Sequence, residues 1–157
     1  KLLIKDKNYV LNIIGPDDGE LGRLKNLSKK LNLEDKVIFK EPIYGEQRFS
    51  WIKNSDIVIL TSFYECNSIL AIETIALGGV LLCTNSCNLS DAAKFGAVKS
   101  SKNNLQNLIK SVKYLSNNKN SRNLREKALK YALKYLDIKI NTKEVLNLYK
   151  EVVKINW

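Results

Sequence analysis

The sequence predicts an α/β domain in which a parallel, doubly wound sheet is flanked by helices. Three observations predict it. Short apolar runs at residues 9–14, 37–40, 56–60 and 80–83 alternate with helix-length segments, as in consecutive βα units. Turn residues punctuate the alternation, with Gly15-Pro16-Asp17-Asp18-Gly19 after the first run and Gly78-Gly79 before the last. Residues 56–79 hold an apolar run, a turn and a second, helix-like apolar run in immediate succession.

Composition sets the frame. The 157 residues are 45% apolar, enough for one core, so a single domain over 1–157 is expected. Its α/β core would cover 9–90 and its C-terminal helices 103–157. No apolar run approaches the roughly 18 residues of a membrane span, and no leader-like segment opens the chain. Lys1 is not an initiator Met and no Met occurs anywhere, which suggests a processed or excised piece. There is no histidine, so imidazole acid–base chemistry and histidine ligation are excluded. Cys66, Cys83 and Cys87 form no C-x-x-C pair and read as reduced thiols, which points to the cytoplasm. No metal is expected.

The net charge of +10 is spread over every segment and thickens in the last third. It reads first as solvated helix faces, second as contact with an anionic membrane surface, and last as nucleic-acid binding, which would concentrate the charge on one patch.

In chain order, residues 1–8 close a helix. Residues 9–14 (YVLNII) form a buried strand, and Asp17 or Asp18 caps a helix over 20–31 with Leu21, Leu24, Leu27 and Leu31 on one stripe. Gly15, Gly19 and Gly22 lack the G-x-G-x-x-G spacing of a dinucleotide fingerprint. Asn32 stops the helix, strand 37–40 follows, and Pro42 forces an extended loop. A short helix at 47–54 is anchored by Phe49, Trp51 and Ile52. After strand 80–83 comes a polar loop, 84–90, at the strand end where open α/β sheets bind ligands. A short strand at Ala97-Val98 precedes helices at 103–115, 121–136 and 142–155. The first of these helices turns Leu105, Leu108, Ile109 and Val112 inward.

Residues 56–79 hold the chemistry. Strand 56–60 leads through a polar turn, 61–67, into helix 68–77, whose apolar residues Ile69, Leu70, Ile72, Ile75, Ala76 and Leu77 cover nearly every face and predict burial. Glu73 interrupts that surface. A buried carboxylate costs several kcal/mol unless donors meet it, so protein or ligand must supply them. Glu65 stands before the same helix, with seven residues between the two acids. Free N–H groups at the helix tip, around Ser68 and Ile69, favour phosphate oxygens. Glu73 lies five residues on, about 7–8 Å at 1.5 Å per residue, roughly the reach from a diphosphate to its ribose.

Glu65, then CNSILAI, then Glu73 and TIALGG resembles the E-x7-E motif of the retaining GT-B glycosyltransferases known as group 1. The family usually has Gly where Ser68 stands, and often Phe or Pro near Asn67. The resemblance implies the C-terminal, Rossmann-like donor-binding half of a two-domain enzyme, its first strand missing here. It places Glu65 on the transferred sugar as the catalytic carboxylate, the Ser68 and Ile69 amides on the diphosphate and Glu73 on the ribose. Cys66 and Asn67 fall in the same substrate-binding turn. Gly15 matches the glycine turn expected after the first strand, and Glu41 and Ile43 fall where main-chain groups meet the base. The donor would be a nucleotide-diphosphate sugar, with no other cofactor. The acceptor would sit in an N-terminal domain absent from this chain, and an Arg and Lys pair that neutralises the diphosphate leaving group would lie just before Lys1. The chain by itself would bind donor weakly and transfer nothing. A GT-B-like nucleotide-sugar epimerase and a non-catalytic basic domain on the inner membrane surface are the alternatives.

Overall fold

The structure is a computed structural model and describes residues 9–155; the helix end expected over residues 1–8, and Trp157, lie outside them. The chain divides into two compact units, one through Arg48 and one from Phe49.

In the first unit, β1 (Leu11–Ile14) and β2 (Val37–Lys40) pair in parallel, from Leu11 opposite Val37 to Ile14 opposite Lys40. The connection between them is α1 (Leu21–Lys30). Its entry is built by Asp17, whose Oδ1 accepts the N–H groups of Gly19 at 2.8 Å and Leu21 at 3.1 Å. The capping turn read from the sequence is therefore present, and Asp17 makes it. Those bonds hold the Asp17 carboxyl below the usual carboxylate range. Asn32 ends α1 in the left-handed region, at φ 52°. Two expectations need correction. β1 is half-buried, because its side chains alternate and Asn12 and Ile14 face out. Leu27 and Leu31 of the leucine stripe are also exposed, because the buried side of this segment runs through Ser28 and Leu33.

Helix α2 (Gly45–Asn54) contains the division between the units and starts two residues earlier than expected. The second unit then runs β3 (Val58–Leu60), α3 (Ile69–Ala76), β4 (Leu81–Thr84), a 3-10 turn (Asn85–Cys87), α4 (Ser90–Phe95) and β5 (Lys99–Ser101). Helices α5 (Leu105–Leu115), α6 (Asn118–Tyr135) and α7 (Ile138–Ile155) follow. The sheet order is β3-β4-β5, all parallel, as the sequence alternation predicts. The central strand is buried throughout and serves two cores. Leu81 and Cys83 pack with Ala71, Ile75 and Ala128, while Val80 and Leu82 pack with Leu115 and Leu124. Alternation along one strand into two separate cores is the signature of a sheet covered on both faces. Phe95 of α4 closes the first core edge-on against Tyr131 of α6, with ring centroids 5.4 Å apart.

The polar loop expected at 84–90 is a correction. It holds the 3-10 turn, with Cys87 buried, and the start of α4. A six-residue helix completes fewer than two turns, too short to show a period. The strand expected at Ala97-Val98 lies two residues later, at Lys99–Ser101; Ala97 and Val98 are buried in the approach to it. The last two helices start earlier than expected, and their caps say why. Asn117 Oδ1 accepts from the N–H of Lys119, and Asp137 Oδ1 from that of Lys139. Leu105, expected inward, is exposed at the first position of α5.

Candidate functional site

The turn between β3 and α3 is fixed by the turn that follows β4. Thr84 Oγ1 donates to the Ser62 carbonyl at 2.6 Å, and the Glu65 N–H donates to the Ser86 carbonyl at 3.2 Å. Asn88 Nδ2 donates to the Cys66 carbonyl at 3.2 Å, and Cys87 Sγ approaches the Leu60 carbonyl at 3.5 Å. Four contacts thus tie Glu65 and its neighbours to the carboxyl edge of the sheet. Asn88 holds its side chain there from the left-handed region, at φ 52°. Sequence reading missed these buttresses; the one available signal was a cluster of small polar residues at a strand's ligand-facing end.

Helix α3 begins as expected. Ser68 is its N-cap, and Ser68 Oγ accepts the Ala71 N–H at 3.3 Å. An α-helix leaves its first N–H groups without intrahelical acceptors. The cap takes that of Ala71, so the amides at the open tip are those of Ile69 and Leu70, and Ser68 itself is buried. The sequence expectation named Ser68 and Ile69; Ser68 is the N-cap and Ile69 the first helical residue.

The expected all-round burial of this helix is corrected. Ala71, Thr74 and Ile75 are buried, but Ile69 is 67% exposed, and Leu70 and Ala76 are exposed too. The apolar tip therefore stands open around the unclaimed amides. Glu73 is half-buried, with its Oε2 shielded from solvent, on the side between the two faces. Glu65 is half-buried, and Cys66 and Asn67 are exposed. The turn read as polar presents Phe63 and Tyr64 almost fully to solvent, at 88% and 84% exposure. Large apolar rings held out beside a carboxylate are surfaces for a planar ligand to stack on.

The far end of α3 is set by Gly78-Gly79. Gly78 turns left-handed at φ 65°, and a Cβ on Gly79 would stand 2.7 Å from Thr74 Cγ2. Arg125 of α6 clasps this end, donating to the carbonyls of Gly78 at 3.3 Å and Ser55 at 3.2 Å. The remaining sequence-named residues belong to the first unit. Gly15 follows β1 and extends the ladder through its N–H to the Lys40 carbonyl; Glu41 follows β2 and is exposed, and Ile43 is half-buried. They stand at the carboxyl end of their own strand pair, as Glu65 to Glu73 do at theirs.

Residues 1–135 match the family model described as Glycosyl transferases group 1. A curated D-inositol 3-phosphate glycosyltransferase from Paenarthrobacter aurescens is 30% identical over 92 residues, 58% of this chain. The chain spans 22% of the length of the curated relatives it matches. Among solved structures, the C-terminal domain of a group 1 glycosyl transferase, LpcC, from Francisella tularensis superposes with a TM-score of 0.73 at 19% identity. That match covers 87% of this chain and 74% of the other. HepE from Anabaena, solved in complex with UDP, gives 0.73 at 18% identity, over 90% of this chain and 41% of that one. At these identities the structural matches establish the fold, a GT-B C-terminal domain.

Proposed function

The chain belongs to the glycosyl transferases group 1 family, and we propose that it holds the nucleotide-diphosphate sugar donor of a metal-independent, retaining glycosyltransferase. One observation carries the reading. A capped, outward-facing helix tip stands at the carboxyl edge of a parallel sheet, with Glu65 on the strand side and Glu73 along the helix. The tip amides of Ile69 and Leu70 and the helix dipole favour a diphosphate. They would stabilise the charge that grows on it as the glycosidic bond breaks, which is electrostatic catalysis. Glu65, on a turn pinned by four contacts, is the group placed to meet the transferred sugar and acts as the catalytic carboxylate. Glu73 takes the ribose hydroxyls. Phe63 and Tyr64 shield one side.

The UDP complex of HepE supports a nucleoside diphosphate as the bound product, and the curated relative's name supports a hydroxyl-bearing acceptor. That acceptor would be held by a further domain of the whole enzyme. The setting proposed is the cytoplasm, at the inner face of the membrane. Among the described residues no helix is long and apolar enough to cross it.

Calorimetric titration of the chain with UDP, GDP and ADP tests the donor site. One of them binds, and Glu73→Ala weakens it by roughly 10- to 100-fold, the loss of one hydrogen bond to a charged acceptor at ~1.5–3 kcal/mol. Unchanged affinity in that variant would refute the ribose role.

A further inference from the structure

The carboxyl edge of the second unit's sheet continues past the Glu65 turn, and its chemistry changes there. Between the ends of β4 and β5 and the side of α5 lies an open cavity of about 450 Å³. Lys99, Lys102 and Lys110 line it, with Asn85, Ser111 and Tyr114, and no carboxylate does. Among the described residues none of the three lysines is in an ion pair. Three ammonium groups around one cavity repel one another, and an anion between them removes that cost.

The remaining groups suit the same guest. Lys99 Nζ is held 4.9 Å from the centroid of the Tyr114 ring, which fixes its charge at the wall. Asn85 Oδ1 accepts from Ser100 Oγ at 2.7 Å, which leaves the amide nitrogen of Asn85 as its donor. Ser111, a buried residue at the cavity wall, adds a hydroxyl.

We propose that this cavity is an oxyanion site that takes a phosphate group. A phosphate ester brings up to two charges and several acceptor oxygens, which matches three point-charge donors and neutral N–H and O–H groups better than a single carboxylate does. The cavity is roomier than one phosphate, so the group arrives on a larger body, either a phosphorylated saccharide or a lipid headgroup. Asn85 directly precedes Ser86, whose carbonyl holds the Glu65 N–H. A phosphate here therefore lies beside the donor turn, not within it. The inference does not rest on the donor reading.

The test is a titration of the ¹⁵N-labelled 157-residue chain with inorganic phosphate at constant ionic strength, followed by amide shifts. Saturable shifts are expected at Ser101, Lys110 and Ser111, weakened roughly tenfold or more in a Lys102→Gln/Lys110→Gln variant and unchanged in Glu73→Ala. Both lysines are exposed, so the spectrum itself reports that the variant stays folded. A parallel arm compares vesicles containing phosphatidic acid with vesicles of equal charge made with phosphatidylglycerol. Saturation by inorganic phosphate without a preference for phosphatidic acid assigns a soluble ester; a preference for phosphatidic acid that the double variant loses assigns a headgroup. If neither ligand shifts these amides, or if shifts spread over lysines throughout the chain and persist in the double variant, the site does not exist.

Discussion

Cys83 lies in the middle of the sheet and shows how far the core governs chemistry at a single atom. Burial pushes its thiol up to about 12, because a thiolate there would lose its water. Cys66 is exposed on the Glu65 turn, and Cys87 is buried beside Thr84. A thiol reagent at neutral pH should therefore titrate one cysteine in the native chain and three after denaturation. Two or more fast thiols would mean that the β4 core opens readily. The sign of the pH effect follows. A folded value above the ordinary 9.0 means that the unfolded chain loses its proton first. Stability is thus intact below 9.0 and falls as pH rises toward about 12; urea midpoints across that window, compared with those of Cys83→Ser, isolate the contribution. Single residues were also where sequence reading succeeded most unevenly. Ser68 was legible as the start of its helix and is the N-cap; Glu73 stood out as a carboxylate in apolar text and is half-buried. Phe63 and Tyr64 were not legible, since aromatic residues in a short segment read equally well as core.

At the level of elements, boundaries were lost where side chains close the backbone. Asn117 and Asp137 each start a helix earlier than the apolar period alone predicts. Strand β5 has no apolar text of its own, since its residues are Lys99, Ser100 and Ser101. It takes its place from parallel pairing with β4, and no local pattern reports that. The turn carrying Glu65 depends on such a non-local device. Asn88 combines a hydrogen bond to the Cys66 carbonyl with a left-handed backbone. Asn88→Ala loses both and should cost about 1–2 kcal/mol in urea unfolding. Asn88→Gly keeps the backbone and loses only the bond, so it should recover part of that stability while nucleotide affinity stays low. Should UDP bind equally well to both variants and to the parent, this buttress plays no part in holding the donor turn.

Over the whole molecule, the sequence conveyed the parallel α/β alternation because both β4 faces are apolar text, yet it overstated how much of the chain is core. The last helix is the clearest case. Val145, Leu148, Tyr149, Val152 and Val153 of α7 recur at the spacing of one helix face, the kind that ordinarily packs inward, and all five are exposed. Lys139, Lys143, Lys150 and Lys154 recur at spacings of four, seven and four, so they share one flank of this apolar stripe. An apolar face edged by a row of ammonium groups complements an anionic bilayer surface, with the methylene stems reaching into the headgroup layer. Each lysine near such a surface contributes about 1 kcal/mol, lost as salt screens it within a Debye length of roughly 8–10 Å. We therefore expect the chain to co-sediment with vesicles rich in phosphatidylglycerol at low salt and to leave them near 1 M, where the Debye length is about 3 Å. Neutral phosphatidylcholine vesicles should not retain it. Replacing the four lysines by glutamine should abolish the binding, and replacing Val152 and Val153 by serine should weaken it at every salt concentration. If the lysine variant sediments with the vesicles as before, the basic edge of α7 is a solvated helix face.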